Sequence, residues 1–338
     1  MAREMLHLHA GFHKTGSTAI QNYLFDNDVD SRFHYFHSGI PNSSLIIKQA
    51  FKNDLANHQG FRKQNLSPKK KSDIRARARA RIEKIVRDID RPHTILSAES
   101  LGILTAEEIA QVCEYFSRYY RDMRVYIYIR PLKSRVESAF QEKLKTRYSS
   151  LEEKFRISFE KSIGSFDQIF GRDHVKVSKF SREGFPGGSV INHFLNQIGI
   201  ESELSGQSEA NTSLSLPAIQ LLYVYRKFFP DQHKDDDKRL HKLELLSGDP
   251  LHFHSELFNE LLIAPEGDSN WLEHRAGFSA TEDIRAHDNA AIKSEQELTS
   301  IPADSIEWLR QRQPNLLSRL RFRRGNLPSI ARGVRRLA

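Results

Sequence analysis

A segment near the start of the chain has the residues of a phosphate-binding loop. It reads LHLHAGFHKTGST over residues 6–18, and Gly11 and Gly16 lie in the turn between a strand-like and a helix-like stretch. Backbone N–H groups in the first turn of a helix point toward a bound anion, and the helix dipole favours negative charge there. We therefore expect this loop to hold a phosphate group.

The position of the lysine distinguishes the loop from that of nucleoside triphosphatases. Gly11 and Gly16 have the spacing of the pattern GxxxxGK[ST], but Ser17 stands where that pattern has its lysine. The lysine lies inside the loop as Lys14, and no aspartate at a predicted strand end is placed to hold Mg²⁺. The loop thus favours a phosphate site that does not take a magnesium triphosphate. A plain strand–helix turn with a chance lysine is the alternative.

A second candidate phosphate site begins at Arg130. This arginine follows RVYIYI, the most strand-like stretch of the chain, and Ser138 lies eight residues further on, about two turns into a predicted helix. Open α/β sheets bind ligands at the carboxyl ends of their strands. A guanidinium group can contact two phosphate oxygens while a hydroxyl donates to a third. Alone, the pair is better explained by a surface arginine and a solvated serine; together with the first loop it indicates a phosphate site.

The elements that would position these residues alternate between strand and helix over the first two thirds of the chain. Predicted strands are Met5–Ala10, Arg32–Phe36, Thr94–Ser97, Arg124–Ile129 and Val175–Ser178. Predicted helices in this part are Ser17–Phe25, 73–89, 106–121, 132–146 and 188–198. Later helices are predicted at 214–229, 237–246, 251–263 and 304–312. This alternation predicts an α/β fold with a parallel sheet and helices on both of its faces.

Three motifs together resemble the sulfotransferase superfamily that uses 3′-phosphoadenosine 5′-phosphosulfate (PAPS), and its bacterial-type branch in particular. They are HxGxHKTGSTxxQ, LSAES and YIRPLxxRxxSAF, in that order along the chain. Later stretches, FGRDHVKVSKFSREGFPGGSVINHFLNQIGI and NTSLSLPAIQLL, are similar to downstream blocks of the same branch. The resemblance covers about residues 5–230. It implies a P-loop-containing nucleoside triphosphate hydrolase-like fold, with a helical C-terminal extension, and transfer of a sulfuryl group to a hydroxyl or amine.

The resemblance also implies roles for the matched residues. The 5′-phosphate would be held by backbone and hydroxyl donors of Thr15, Gly16, Ser17 and Thr18. Lys14 would contact the oxygen that bridges the phosphate and the sulfuryl group, and Arg130 and Ser138 would hold the 3′-phosphate. Sulfuryl transfer, like phosphoryl transfer, depends mostly on positioning and on charge stabilisation. No metal is expected, which agrees with the missing Mg²⁺ ligands.

Two residues are candidates for the general base that takes the proton of the acceptor. Glu99 follows a predicted strand end, and His13 is next to Lys14 in the loop. Similar sulfotransferases use Glu or His in this role, and we place Glu99 ahead of His13. The alternatives are that Glu99 is a carboxylate at a helix start and that His13 only shapes the turn.

The net charge of +8 over 338 residues is concentrated in two segments. Residues 62–91 carry +8 and residues 308–338 carry +9, so the rest of the chain is acidic, at −9. This distribution argues against a nucleic-acid-binding protein, which would have a basic face on its folded domain. Residues 310–338 either form a basic amphipathic segment at an anionic membrane surface or a solvated tail, and we favour the tail.

The remaining features limit the location and organisation of the protein. A single cysteine, no apolar run long enough for a membrane span and no signal-like start predict a cytoplasmic protein, at most peripheral at the inner membrane face. We expect a sulfotransferase domain over 1–305, with a core at 5–230 and an acceptor-side extension at 235–305, and a basic tail over 306–338. The acceptor, by analogy, is a carbohydrate or a lipid. The alternatives are a nucleotide kinase or triphosphatase, and an inactive sulfotransferase-like binding protein at a membrane.

Overall fold

The computed structural model of the protein describes residues 2–12, 15–55, 67–204, 213–228 and 241–312. The chain forms two compact units, each built from several stretches of sequence. The first unit consists of Met1–Arg130, Ser158–Glu209 and Glu266–Ala280. The second unit consists of Pro131–Ile157, Ala210–Pro265 and Thr281–Ala338.

The first unit is a parallel sheet covered by helices. Its strands are β1 (Arg3–Ala10), β2 (Phe33–Tyr35), β3 (His93–Ser97), β4 (Tyr120–Ile129) and β6 (Val175–Lys179). Its helices are α1 (Ser17–Asp26), α2 (Ser44–Phe51), α3 (Pro68–Asp88), α4 (Ala106–Ser117), α6 (Phe159–Phe170), α7 (Val190–Gln197) and α10 (Asp268–Ala276). The strand order is β2-β3-β1-β4-β6, with every pair parallel. The predicted α/β fold with a central parallel sheet flanked by helices is confirmed.

The central strands are buried on both faces, as parallel sheets require. β1 is continuously buried from Leu6 to Ala10, and β4 from Val125 to Ile129. On one face, apolar side chains of α1 and α7 pack against the sheet. Helices α4 and α6 contact each other and β4.

The second unit is mostly helical. It contains α5 (Leu132–Thr146), α8 (Leu216–Phe228), α9 (Ser255–Leu261), α11 (Glu295–Thr299), α12 (Ala303–Arg312) and the two short parallel strands β5 (Phe155–Arg156) and β7 (Leu262–Ile263). The buried Arg226 of α8 joins α8 to the end of α5, because its guanidinium donates to Leu144 O and Lys145 O at 3.1 and 2.7 Å. Unpaired carbonyls at a helix C-terminus are thereby satisfied.

Several sequence predictions are wrong in detail. The predicted helix 106–121 ends at Ser117, and β4 begins at Tyr120 instead of Arg124. The polar start of β4 is extended because it pairs with β1, with Tyr120 opposite Arg3. The predicted helix 251–263 is shorter, Ser255–Leu261, since Phe253 forms an isolated bridge with Ile292. The predictions missed α2, α6, α10 and α11. Residues 237–240 of the predicted helix 237–246 lie outside the described residues, and its described part is helical only over 241–243.

Part of the basic run RARARAR on α3 contacts the end of α2. The helix begins at Pro68, earlier than predicted, because Ser67 caps it by accepting from Lys70 N. Arg75 and Arg79 donate to Lys52 O and Ala50 O at the end of α2. Part of the positive charge in segment 62–91 therefore holds α2 in place. Among the helices of the described segments, none has the length and apolar character needed to cross a membrane.

Candidate functional site

The glycine loop connects β1 to α1 as the sequence predicts. Gly16 precedes α1 with φ 74° and ψ 11°, a left-handed conformation that glycine adopts without steric cost. Its carbonyl accepts from Ala19 N at 3.0 Å, which closes the first turn. Among the described residues no side chain caps this helix, and its first turn has no acidic residue. The first N–H groups of α1 are therefore suited to an anion.

The two hydroxyl groups that flank Gly16 are buried but differ in their hydrogen bonding. Thr15 Oγ1 donates to Phe12 O at 2.7 Å, which stabilises the turn. Ser17 is 4% exposed, and its Oγ has no hydrogen-bond partner within the described residues. Buried polar groups are nearly always paired, so an orphaned hydroxyl at a helix start indicates a ligand position. Thr18, the next residue, is exposed.

The structure brings Glu99 to the glycine loop. Glu99 begins a short 3₁₀ helix, Glu99–Ile103, directly after β3. A β-carbon on Gly11 would lie 2.3 Å from Ser17 Oγ and 2.9 Å from Glu99 Cγ. Gly11 therefore packs against the side chains of both Ser17 and Glu99, and only glycine fits at this position.

These residues lie at a switch point of the sheet. The connection from β1 to β2, through α1, and the connection from β3 to β4, through α4, run in opposite directions along the strand order. Because such crossovers are right-handed, α1 and α4 lie on opposite faces of the sheet. The carboxyl ends of the neighbouring strands β1 and β3 lie at this switch point. Open α/β sheets bind their ligands at such a place.

Lys48, which sequence reasoning missed, lies on the helix that packs against the 3₁₀ helix of Glu99. Helix α2 packs on the 3₁₀ helix, where Ser44 Oγ accepts from Ser100 N at 3.0 Å. Two turns later, Lys52 Nζ lies 3.3 Å from Glu108 Oε2. Lys48 is one helical turn from both Ser44 and Lys52, so it lies on the same face of α2 as these two residues. Burial lowers the pKa of Lys48, and the negative charge of Glu99 opposes that shift. The four-residue spacing of Ser44, Lys48 and Lys52 was the available sequence signal.

The two histidines of β1 are buried on the same face of the sheet. His7 Nδ1 lies 3.0 Å from Tyr126 Oη, and His9 Nδ1 lies 2.8 Å from Ser97 Oγ. Burial lowers the pKa of His7 to about 3 and that of His9 to about 4. Both imidazoles are therefore neutral at physiological pH. Within the described segments, no group of three or more His, Cys, Asp or Glu side chains is arranged to hold a metal.

The other predicted site residues lie on other elements or outside the described residues. Arg130 follows β4 at the end of the first unit, and its guanidinium carbon lies 5.6 Å from the centroid of the Phe180 ring. Ser138 is half-buried on α5, in the second unit. His13 and Lys14 lie outside the described residues, so their roles stay predictions, as do those of Arg130 and Ser138.

Comparison with known proteins adds two weak similarities. No family model matches the chain. An uncharacterized protein of Archaeoglobus fulgidus is 28% identical over 126 residues, which is 36% of this chain and 34% of that protein. The match therefore spans about a third of that relative. The crystal structure of a sulfotransferase from Alicyclobacillus acidocaldarius aligns with 73% of this chain and 98% of its own, at 13% identity and a TM-score of 0.40.

Proposed function

We propose that the protein is a sulfotransferase that moves the sulfuryl group of PAPS to a hydroxyl or amine of an acceptor. The observation that carries the proposal is Ser17 Oγ at the start of α1, buried against Gly11 and close to Glu99. Among the described residues it has no hydrogen-bond partner, and no side chain caps the helix. This arrangement combines an anion site with a carboxylate that can accept a proton. The motifs around Gly11, Glu99 and Arg130 support the same assignment.

In this proposal the glycine loop holds the donor. The 5′-phosphate is bound by the N–H groups of Thr15, Gly16, Ser17 and Thr18 and by the hydroxyl groups of Ser17 and Thr18. Lys14 offsets the negative charge that develops on the leaving oxygen. Arg130 and Ser138 hold the 3′-phosphate, which distinguishes PAPS from ATP. When bound, PAPS supplies the activated sulfuryl group, and the proposed chemistry uses no metal.

Glu99 is the proposed general base. It removes the proton of the acceptor hydroxyl or amine, so that the acceptor gains nucleophilic character close to the anion site. His13 is the alternative base. We keep residues 1–305 as the proposed sulfotransferase domain and a carbohydrate or lipid as the proposed acceptor. Membrane contact through 310–338 falls almost entirely on residues outside the described ranges.

Calorimetry with 3′-phosphoadenosine 5′-phosphate, the product of the donor, tests the proposal directly. We expect binding without Mg²⁺ and a clear preference over ATP. Equal affinity for the two nucleotides, or binding of ATP that requires Mg²⁺, would reject a PAPS site and favour a nucleotide kinase or triphosphatase.

An assay of labelled sulfuryl transfer from PAPS to acceptors in extracts of the source cell then distinguishes between the two candidate bases, Glu99 and His13. Glu99→Gln should abolish transfer and leave nucleotide affinity unchanged, whereas His13→Asn should retain transfer. The reverse pattern would assign the base to His13. Nucleotide binding without transfer in any extract would instead favour the inactive binding protein.

A further inference from the structure

Three buried polar side chains, one each on β1, β3 and α1, are joined by hydrogen bonds next to the glycine loop. Ser97, the last residue of β3, has its Oγ 2.8 Å from His9 Nδ1 and accepts a hydrogen bond of 3.1 Å from Gln21 Nε2. His9 and Ser97 are 0% exposed and Gln21 is 1% exposed. We call these three residues the Ser97 cluster.

The Ser97 cluster links the three elements that carry the candidate site. His9 on β1 comes two residues before Gly11, and Ser97 on β3 comes two residues before Glu99. Gln21 lies on α1, one turn beyond its first residue. Each member of the cluster is thus within one turn, or two strand residues, of a group in the candidate site.

Backbone bonds strengthen the same connection. Ala98 N donates to His9 O at 3.1 Å, which ties the end of β3 to β1. Ser43 N donates to Ser97 O at 3.2 Å, which ties the start of α2 to the same residue. Ser97 therefore makes contacts with β1, α1 and the residue before α2. A displacement of the Ser97 side chain would therefore displace both the glycine loop and Glu99.

Stability alone does not account for the Ser97 cluster. Burying polar groups costs free energy, and apolar side chains of similar shape are often as stable. His9 Nε2 also has no hydrogen-bond partner among the described residues, and the imidazole lies against Phe194 with ring centroids 5.2 Å apart. What a buried polar network provides beyond an apolar core is one defined geometry.

We propose that Ser97, His9 and Gln21 are positioning residues, which hold the glycine loop and Glu99 in the relative placement that the site needs. The inference rests on the proposed function, which names what these residues position. Ser97 is the central member, because both other side chains bond to its Oγ. None of the three touches the donor or the acceptor in this proposal.

The test compares Ser97→Ala with Thr94→Val as a matched control. Thr94 lies near the start of the same strand, is 0% exposed and accepts a hydrogen bond of 2.9 Å from Tyr120 Oη. Each variant removes one buried, hydrogen-bonded hydroxyl from β3, so both should lose a similar amount of stability. Ser97→Ala should weaken binding of 3′-phosphoadenosine 5′-phosphate about tenfold, and Thr94→Val by less than about twofold.

A second measurement does not depend on the nucleotide. Ser100 lies in the 3₁₀ helix that carries Glu99, and its backbone amide donates to Ser44 Oγ of α2. Its hydrogen exchange in the free protein should be about tenfold faster in Ser97→Ala and unchanged in Thr94→Val. Gln21→Met, which removes only the amide, should show the same pattern more weakly if Ser97→Ala does not fold.

The outcomes separate this inference from the proposed function. In steady-state transfer, Ser97→Ala should raise the donor KM and lower kcat together, since it displaces both the loop and the base. Equal effects of Ser97→Ala and Thr94→Val on nucleotide affinity or on Ser100 exchange would overturn the positioning role. If the wild-type protein binds no 3′-phosphoadenosine 5′-phosphate, the proposed function fails, and the exchange data alone decide whether Ser97 orders the 3₁₀ helix.

Discussion

Gly11 and Ser17 are packed so closely that a β-carbon on Gly11 would lie 2.3 Å from Ser17 Oγ. The contact joins the end of β1 to the start of α1, and Glu99 Cγ lies 2.9 Å from the same hypothetical atom. Real β-carbons do not approach other atoms so closely. The geometry of the candidate site therefore requires glycine, which has no side chain, at position 11.

Replacing Gly11 by alanine should deform the site. The new methyl group must displace Ser17 or Glu99, and overpacking of this kind costs about 1–3 kcal/mol. We expect Gly11→Ala to lower the unfolding free energy by that amount and to weaken nucleotide binding at least about tenfold. Urea unfolding and calorimetry measure the two effects.

Gly102 provides the matched control for this substitution. It lies in the 3₁₀ helix of Glu99, but a β-carbon there would be 3.6 Å from its nearest neighbours, which is ordinary contact distance. Gly102→Ala should leave nucleotide affinity unchanged. Similar losses of nucleotide affinity in both variants would show that the loop region tolerates no added methyl group. The close contact of Gly11 with Ser17 would then not explain the effect of Gly11→Ala.

The hydroxyls of Ser17 and Thr15 should respond oppositely to removal. Ser17 Oγ is buried and has no hydrogen-bond partner among the residues that the structure describes, so Ser17→Ala removes an unsatisfied polar group and should not reduce stability. Thr15 Oγ1 donates to Phe12 O, so Thr15→Val should cost about 1 kcal/mol. Nucleotide affinity should fall about tenfold in Ser17→Ala. A lower melting temperature for Ser17→Ala than for Thr15→Val would contradict this assignment.

Local motifs explain how much of the site could be predicted from sequence. Gly11, Gly16 and Ser17 lie in one short segment, and the glycine spacing alone places them between a strand and a helix. Glu99 was found because it follows a strand end, where parallel sheets bind ligands. Its contact with Gly11 could not be derived, since it depends on β1 and β3 being neighbours in the sheet.

The parts that were missed depend on contacts between distant segments. Helix α2 has only eight residues, too few for a clear helical period, and Lys48 was missed with it. The early start of β4 comes from pairing with β1 and not from its polar sequence. The bond between His9 and Ser97 likewise joins β1 to β3, which are distant in the sequence.

The pKa of Lys48 should report the charges around it. Burial lowers this pKa, Glu99 opposes the shift, and Lys52 adds to it. Glu99→Gln should therefore lower the pKa of Lys48 further, while Lys52→Met should raise it. NMR titration of isotopically labelled lysine side chains measures both changes. Shifts in the same direction would mean that Glu99 does not lie close to Lys48 in solution.

The buried histidines of β1 predict a loss of stability in mild acid. Burial lowers the pKa of His7 to about 3 and that of His9 to about 4, from an ordinary value of 6.5. The unfolded chain binds protons first as the pH falls, so stability is complete above about pH 6.5 and declines below it. Between pH 7 and pH 5 each histidine should cost about 2 kcal/mol.

Urea unfolding at several pH values measures this decline, and His7→Gln should remove about half of it. The substitution keeps a polar group that can bond to Tyr126 Oη, so it should disturb packing little. An unfolding free energy that stays level from pH 7 to pH 5 would mean that the histidines are accessible to protons in the folded protein.

Arg130 should determine whether the nucleotide's 3′-phosphate is recognised. A charge-assisted bond to phosphate contributes about 1.5–3 kcal/mol, so Arg130→Ala should weaken 3′-phosphoadenosine 5′-phosphate by at least about tenfold. AMP, which lacks the 3′-phosphate, should bind the variant as well as it binds the wild-type protein. Arg124→Gln is the control, because Arg124 lies on the same strand and faces Asp122. If Arg130→Ala weakens both nucleotides equally, Arg130 contributes general charge or packs on Phe180, and the 3′-phosphate is bound elsewhere.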